Sequence, residues 1–253
     1  MTTSAKRIPD DRLPELLELI EGSDSVELKL TVPESDQRSA AQAIGMDPLD
    51  AHVRLVYFFD TPELTLLEHG VVVRARRVQG RGDDSVVKLR PVVPQDLPRA
   101  LRRSPAFSVE VDAMPGGFVC SGSMKGRPGT NAVTSVASGE TPVRQLFTKE
   151  QRDFFKRHAP DGIGFDDLIL LGPILVLKLK FTPEAFGRRL VAELWLYPDG
   201  SRVLELSTKC EPADAFRAAA DTRAFLGQHG IDLTGEQTTK TRRALEFFAQ
   251  GAS

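Results

Sequence analysis

The chain has 253 residues, 41% hydrophobic and 27% charged, with 33 Lys+Arg against 35 Asp+Glu. That length and composition fit a soluble globular protein with one sizeable core or two small ones, and no stretch approaches the roughly 18–20 unbroken apolar residues of a membrane span. A net charge of −2 argues against a general nucleic-acid binder, which is basic overall. The opening MTTSAKRIPDD runs into charge with no apolar signal core, and two cysteines, Cys120 and Cys210, make no disulfide framework and fit a reducing cytoplasm.

Leu13, Leu16, Leu17 and Ile20 recur at helical spacing ahead of Gly22, which predicts a first helix. Period-two alternation then predicts a strand over 25–32, and a helix follows from Ser35 as N-cap to Gly45. A strand at 53–59 ends at Asp60-Thr61-Pro62, because Pro62 lacks a donor and restrains Thr61. Strands are predicted next at 70–78, 85–91 and 107–112. Met114–Ser138, rich in Gly, Ser and Pro, is expected as a long loop within an insertion at 113–165. Thr148 and Gln151 have capping-box spacing and start a helix to His158. Three more strands are expected at 174–181, 189–197 and 202–209, the last two joined through Pro198-Asp199-Gly200, and an Ala-rich helix runs from Pro212 to Gly230. Short connections make the sheet mostly antiparallel, and an even run of strands closes it into a barrel. No linker divides the chain, so residues 1–253 are expected to be one α+β domain with its core at 23–248.

The charges inside these strands carry the functional signal. Val73-Arg74-Ala75-Arg76, Val87-Lys88-Leu89-Arg90 and Leu177-Lys178-Leu179-Lys180 each put two bases on one face, whereas Val109-Glu110-Val111-Asp112 puts two acids on one face. Neighbours on a strand face sit roughly 6.7 Å apart, where two like charges repel by about 0.6 kcal/mol in water and about 2.5 at an effective dielectric of 20. One reading is a set of half-exposed strands with their charges in water. The other is a closed sheet with a charged interior, in which bases grip phosphate oxygens and carboxylates hold Mg²⁺ or Mn²⁺. Other chemistries have less support. The histidines His52, His69, His158 and His229 are scattered, Gly80-Arg81-Gly82 lacks a dinucleotide-fold context, and no Walker A or Gly-x-Ser-x-Gly motif occurs. Ser123 is expected as plain loop, and Trp195 and the Phe pairs 58/59, 154/155 and 247/248 as core.

Val26-Glu27-Leu28-Lys29, the turn Tyr57-Phe58-Phe59-Asp60-Thr61-Pro62, the basic pairs Arg74/Arg76 and Lys88/Arg90, the acidic pair Glu110/Asp112, and later Lys178, Lys180, Glu193, Glu205 and Thr239-Lys240-Thr241-Arg242-Arg243 follow one another in order. In this the sequence resembles the CYTH, or triphosphate tunnel metalloenzyme, family, which includes inorganic triphosphatases, thiamine triphosphatases and class IV adenylate cyclases. The resemblance implies a closed antiparallel eight-stranded β-barrel with flanking helices. It implies Lys29, Arg74, Arg76, Lys88, Arg90, Lys178, Lys180 and Lys240 as phosphate ligands, and Glu27, Glu110, Asp112 and Glu205 as metal ligands, with Glu193 as an addition. Glu27, Lys29 and Glu205 would be catalytic. Two positions depart from the family's carboxylate pattern, Ser25 in the first strand and Ser207 in the late one.

The activity implied is metal-dependent hydrolysis of a triphosphate, inorganic or organic. A class IV-type adenylate cyclase is the sibling reading, and a non-catalytic polyphosphate or nucleotide binder is the reading that Ser25 and Ser207 favour. Lys209, one strand step beyond Ser207, either extends the anion site or ends a strand in solvent. The expected partner is a triphosphate-containing small molecule, with no nucleic acid and no membrane; a homodimer is compatible with a sequence that does not settle oligomeric state.

Overall fold

Period-two alternation produces nine strands rather than eight, in a computed structural model that describes residues 13–232 and 240–251. In chain order the elements are α1 (Leu13–Glu21), β1 (Ser25–Val32), α2 (Gln37–Ala43), β2 (His52–Asp60), α3 (Thr65–Glu68), β3 (Val71–Val78), β4 (Asp84–Leu89), α4 (Arg99–Arg102), β5 (Phe107–Met114), β6 (Gly117–Gly126), α5 (Ala132–Ala137), α6 (Lys149–His158), β7 (Ile169–Phe181), β8 (Leu190–Leu196), β9 (Arg202–Cys210), α7 (Ala215–Gln228) and α8 (Lys240–Gly251). The strands close into one barrel in the order β1-β5-β6-β4-β3-β2-β7-β8-β9.

The additional strand is β6, in the stretch expected as a loop, and it corrects a second expectation as well. Around a closed ring of antiparallel pairs, strand direction alternates, which only an even number of strands allows. With nine, a parallel pair is unavoidable, and it is β1 with β5, which places Ser25 opposite Glu110 and Glu27 opposite Asp112. The barrel is therefore mixed, not all antiparallel.

Alternation sorts side chains cleanly across the barrel wall. On β2, Tyr57 and Phe59 face outward into a core with Val73, Val87, Val111, Phe147 and Phe154, over which α5 and α6 pack. A second outer core joins Leu30, Leu190, Leu204 and Leu206 to Phe225 and Leu226 of α7. Val56 and Phe58 face inward with Ile174, Trp195 and Val203, and α8 adds Ala244 and Leu245 to this cluster. These inward apolar residues lie at the C-terminal ends of β2 and β8 and the N-terminal ends of β7 and β9, so they fill one end of the barrel.

Several local expectations hold. Thr148 and Gln151 form the capping box of α6, and Asp199 accepts from the Ser201 amide at 2.9 Å in the β8–β9 turn, where Gly200 has φ +83°. Asp60 ends β2 by accepting from the amides of Thr61, Leu66 and Leu67, which caps α3; burial pushes its carboxyl up to about 6 against those three donors. Others shift. A 3-10 turn at Glu34–Asp36 precedes α2, so Ser35 is not its N-cap, and Pro212–Asp214 forms another before α7. In α1 the buried face is Leu16, Leu19 and Ile20, with Leu13 and Leu17 exposed. Helix α8 was not among the predicted elements, and Thr239 lies outside the described residues. No helix among the described residues is long and apolar enough to cross a membrane.

Gln151 fixes α6 to the barrel. Fully buried, its Nε2 donates to the carbonyls of Ser85 and Met124, both at 3.1 Å, while its Oε1 accepts from the Thr148 amide and the Ser85 hydroxyl. A side chain at Gly126 would collide with that amide, which accounts for the glycine closing β6. Gln151→Ala strands several buried polar groups and is expected to lower stability by about 2–3 kcal/mol, measured by urea unfolding.

Candidate functional site

Many of the remaining inward positions of the barrel are charged. They enclose a cavity of about 610 Å³ lined by ten Lys or Arg and six Asp or Glu side chains. A chain of net charge −2 thus concentrates four positive charges in excess inside one cavity.

Asp112 on β5 organises the deep part. It is fully buried and lies 2.7 Å from Lys29 of β1 and 3.5 Å from Lys88 of β4, and it accepts from Arg90 just beyond β4. Burial alone would raise its pKa, but Lys29, Lys88 and Arg90 hold it far below the usual carboxylate range. Lys29 also pairs with Glu27 at 3.0 Å. Burial opposes its charge, yet Asp112 and Glu27 raise it well above an ordinary lysine. Lys88 goes the other way: burial lowers it to about 8, since Arg90 and Lys29 offset much of the help from Asp112.

Of the four carboxylates expected to hold metal, Glu27, Glu110 and Asp112 come together, with one oxygen of each within 4.8 Å of the others. Three convergent carboxylates make an all-oxygen donor set of the kind that suits a hard divalent ion. The two serines belong to this group. Ser207 donates to Glu27 at 2.9 Å, and Ser25, opposite Glu110 across the parallel β1–β5 pair, lies 3.5 Å from its carboxylate. Lys209 pairs with Glu110 at 2.5 Å, so it meets the site rather than only solvent.

Glu205 stands apart from that trio. It pairs with Lys240 at 2.6 Å, and Lys240 also contacts Glu193 of β8, directly opposite Glu205 on β9. Lys178 reaches Glu193 at 2.6 Å, and the Lys240 ammonium lies 5.2 Å from the Trp195 ring centroid. Burial disfavours charge on Glu193, but Lys240 and Lys178 keep it well below the ordinary range.

Arg74 and Arg76 of β3 form the facing wall. Arg76 pairs with Asp84 at 2.7 Å, whereas the buried Nε of Arg74 has no partner, and burial beside Arg76 lowers its guanidinium to about 10. Lys180 is exposed and does not line the cavity, although Arg54 and Arg81 lie close enough to lower its pKa after burial. Sequence reasoning missed Arg54 of β2, a lone base with no like charge two residues away. It also missed Ser123 and Lys125 of β6, and Arg127 beyond it, all of which line the cavity. The signal for β6 was present as Cys120, Gly122 and Met124 alternating with Ser121, Ser123 and Lys125, but Gly and Ser disguised it as loop.

No protein-family profile matches the sequence, and no curated protein matches it significantly. Solved structures do match. A provisionally named adenylate cyclase from Bacillus halodurans aligns with TM-score 0.61 at 13% identity, covering 87% of this chain and 97% of that one. A protein from Hippeastrum, provisionally named an adenylyl cyclase and described as having a dominant triphosphatase activity, aligns with TM-score 0.63 at 16% identity, covering 89% and 95%. The chain has the CYTH, or triphosphate tunnel, fold. Where eight strands and two more acids were expected, the barrel has nine strands and two serines, and both serines sit against the carboxylate trio.

Lys88 gives the cavity a pH signature. Its charge is present below about 8 and lost above it, and an anion bound beside it favours the charged form. Anion affinity is therefore expected to fall, relative to a Lys88→Arg variant that keeps its charge, as pH rises from about 7 to about 9. Calorimetric titration of inorganic triphosphate against both proteins measures this; parallel pH profiles would remove Lys88 from the site.

Proposed function

We propose that this protein is a metal-dependent triphosphatase that binds its substrate inside the barrel. The observation that carries the reading is that one cavity holds both kinds of group: a carboxylate trio, Glu27, Glu110 and Asp112, and an excess of cations, among them Arg74, whose buried Nε has no partner among the described residues. A triphosphate is a short polyanion that needs both, bases for its oxygens and a divalent ion to neutralise and orient it.

In this reading Arg74, Arg76, Lys88 and Arg90 hold the phosphate oxygens, the arginines through paired N–H donors. Lys29, Lys178 and Lys240 keep the surrounding carboxylates ionised and add positive potential. Glu27, Glu110 and Asp112 would hold Mg²⁺ or Mn²⁺, which supplies Lewis-acid polarisation of the phosphoryl group and a lowered pKa for bound water. Ser207 fixes the Glu27 carboxylate by donating to it, and Ser25 stands beside Glu110. The carboxylate absent from position 25 of β1 is thereby answered by Glu110 across the parallel pair. Glu205 contributes by fixing Lys240 and is available to the reaction only if that pair opens. The Hippeastrum protein's described triphosphatase activity agrees with this choice.

The deciding experiment is phosphate release from inorganic triphosphate with Mg²⁺, Mn²⁺ or EDTA, run beside ATP with cyclic AMP also measured. Metal-dependent phosphate release is the expected result. Cyclic AMP as the main product would move the protein to the cyclase branch, and tight binding without either product would leave a binding protein. Arg74→Ala is expected to weaken triphosphate binding by about 1.5–3 kcal/mol, the range for a hydrogen bond to a charged group. Ser207→Ala removes the hydroxyl that orients Glu27, leaving only its pairing with Lys29, and is expected to weaken metal binding by about 10–100-fold, as loss of an orienting partner does elsewhere, read by Mn²⁺ titration in the absence of substrate.

A further inference from the structure

The outer wall of the barrel carries an apolar face on β7, β8 and β9. Register sets Leu177, Leu194 and Leu204 side by side across the three strands, with Leu175, Leu196 and Arg202 in the next row. Alternation aims all six away from the cavity, since their neighbours Val176, Trp195 and Val203 point inward. Phe225 and Leu226 of α7 pack over the part of this sheet that holds Leu190 and Leu206. Leu175 is left 37% exposed, and Leu177, Leu194 and Leu196 are only half-buried. Between this face and α2 runs a groove of about 220 Å³, with Leu177, Leu194 and Leu204 on the sheet side and Ala41 and Pro48 opposite.

The turn after α2 stands at the edge of that groove. Pro48 and Ala51 line it, and between them Leu49 projects into solvent, 93% exposed. The Asp47 carboxylate accepts from the Leu49 amide at 2.8 Å, which fixes the turn. A lone exposed leucine means little, but the charges around this one are sorted. Asp47 and Asp50 flank Leu49, whereas Arg38 and Arg202 flank the groove. Arg38, Arg202 and Asp50 are exposed, and among the described residues none of the three makes an ion pair. One face thus holds an apolar knob beside acids and an apolar groove beside bases. An anionic membrane or an acidic peptide suits the arginines but is repelled by the aspartates, and a basic partner meets the reverse conflict. A second copy turned through a two-fold axis satisfies both halves at once, because each copy offers what the other lacks.

We propose that this face is an isologous homodimer interface, in which Leu49 of each copy enters the other copy's groove and Asp50 of each meets Arg38 and Arg202 of the other. The proposal does not depend on the chemistry inside the barrel, because these residues lie outside its wall. Leu49, Asp50, Arg38 and Arg202 are all exposed, so replacing them does not threaten the fold.

The test is sedimentation velocity on the full chain from about 1 to about 100 μM, the range in which a modest interface is half-formed. A concentration-dependent doubling of mass is expected. Leu49→Asp should raise the dimer's dissociation constant at least about tenfold, as loss of a central anchor does, with the far-UV circular dichroism unchanged. Asp50→Arg and the double variant Arg38→Glu/Arg202→Glu should each weaken the dimer several-fold. Mixed in equal amounts, those two proteins should recover it, because each then supplies the charge that the other lacks. A monomer throughout the concentration range overturns the proposal. So does a dimer that Leu49→Asp leaves intact, since the contact then lies elsewhere. An open-ended series of larger species overturns it too, because a closed two-fold contact produces none. Failure of the mixture to recover overturns the reciprocal pairing of Asp50 with the arginines.

Discussion

Asp112 is the charge on which the cavity depends. Its side chain has no exposed surface, and an isolated carboxylate in that position would cost several kcal/mol of desolvation. Lys29, Lys88 and Arg90 offset that cost, and Asp112 in turn allows three cations to converge on one short stretch of barrel wall. The arrangement is balanced but not neutral: Lys29 is held firmly charged, while Lys88 is left near its titration point. A buried group of this kind stabilises the fold little by itself. Its effect is to preorganise positive charge along the cavity wall, so that donors for an anionic ligand are already in place.

The geometry that brings Asp112 to Glu27 comes from strand parity. A ring of nine strands must contain a parallel pair, and that pair sets the acidic face of β5 beside β1. Glu110 and Asp112 are thereby placed opposite Ser25 and Glu27. The carboxylate trio is thus assembled across two strands, and the serines that looked like losses lie against its members. At the other end of the barrel, apolar residues joined by α8 fill the interior, so the charged half is backed by a dry one. The two halves make the cavity directional, closed by apolar side chains at one end and charged along the rest of its wall.

Much of this was legible in the residues. Period two gave eight of the nine strands, and the same alternation put Arg74 with Arg76, Lys88 with Arg90 and Glu110 with Asp112 on common faces. Like charges two apart are visible in a sequence because the repulsion between them is local. The capping box at Thr148 and the turn at Pro198-Asp199-Gly200 were readable for the same reason, since each is completed within a few residues.

Partners far apart in the chain were not readable. No local signal says that Lys240 will neutralise Glu205 rather than wait for phosphate, or that Glu205 will stand away from the other acids. Arg54 carried no paired charge to mark it, and β6 was hidden because Gly and Ser weaken strand propensity that pairing with β4 and β5 then restores. Sequence by itself determined which faces are charged and with which sign, because side-chain direction in a strand depends only on the backbone's alternation. The tertiary structure decided which charges meet, because closing nine strands into a ring fixes neighbours whose separation along the chain no local pattern records.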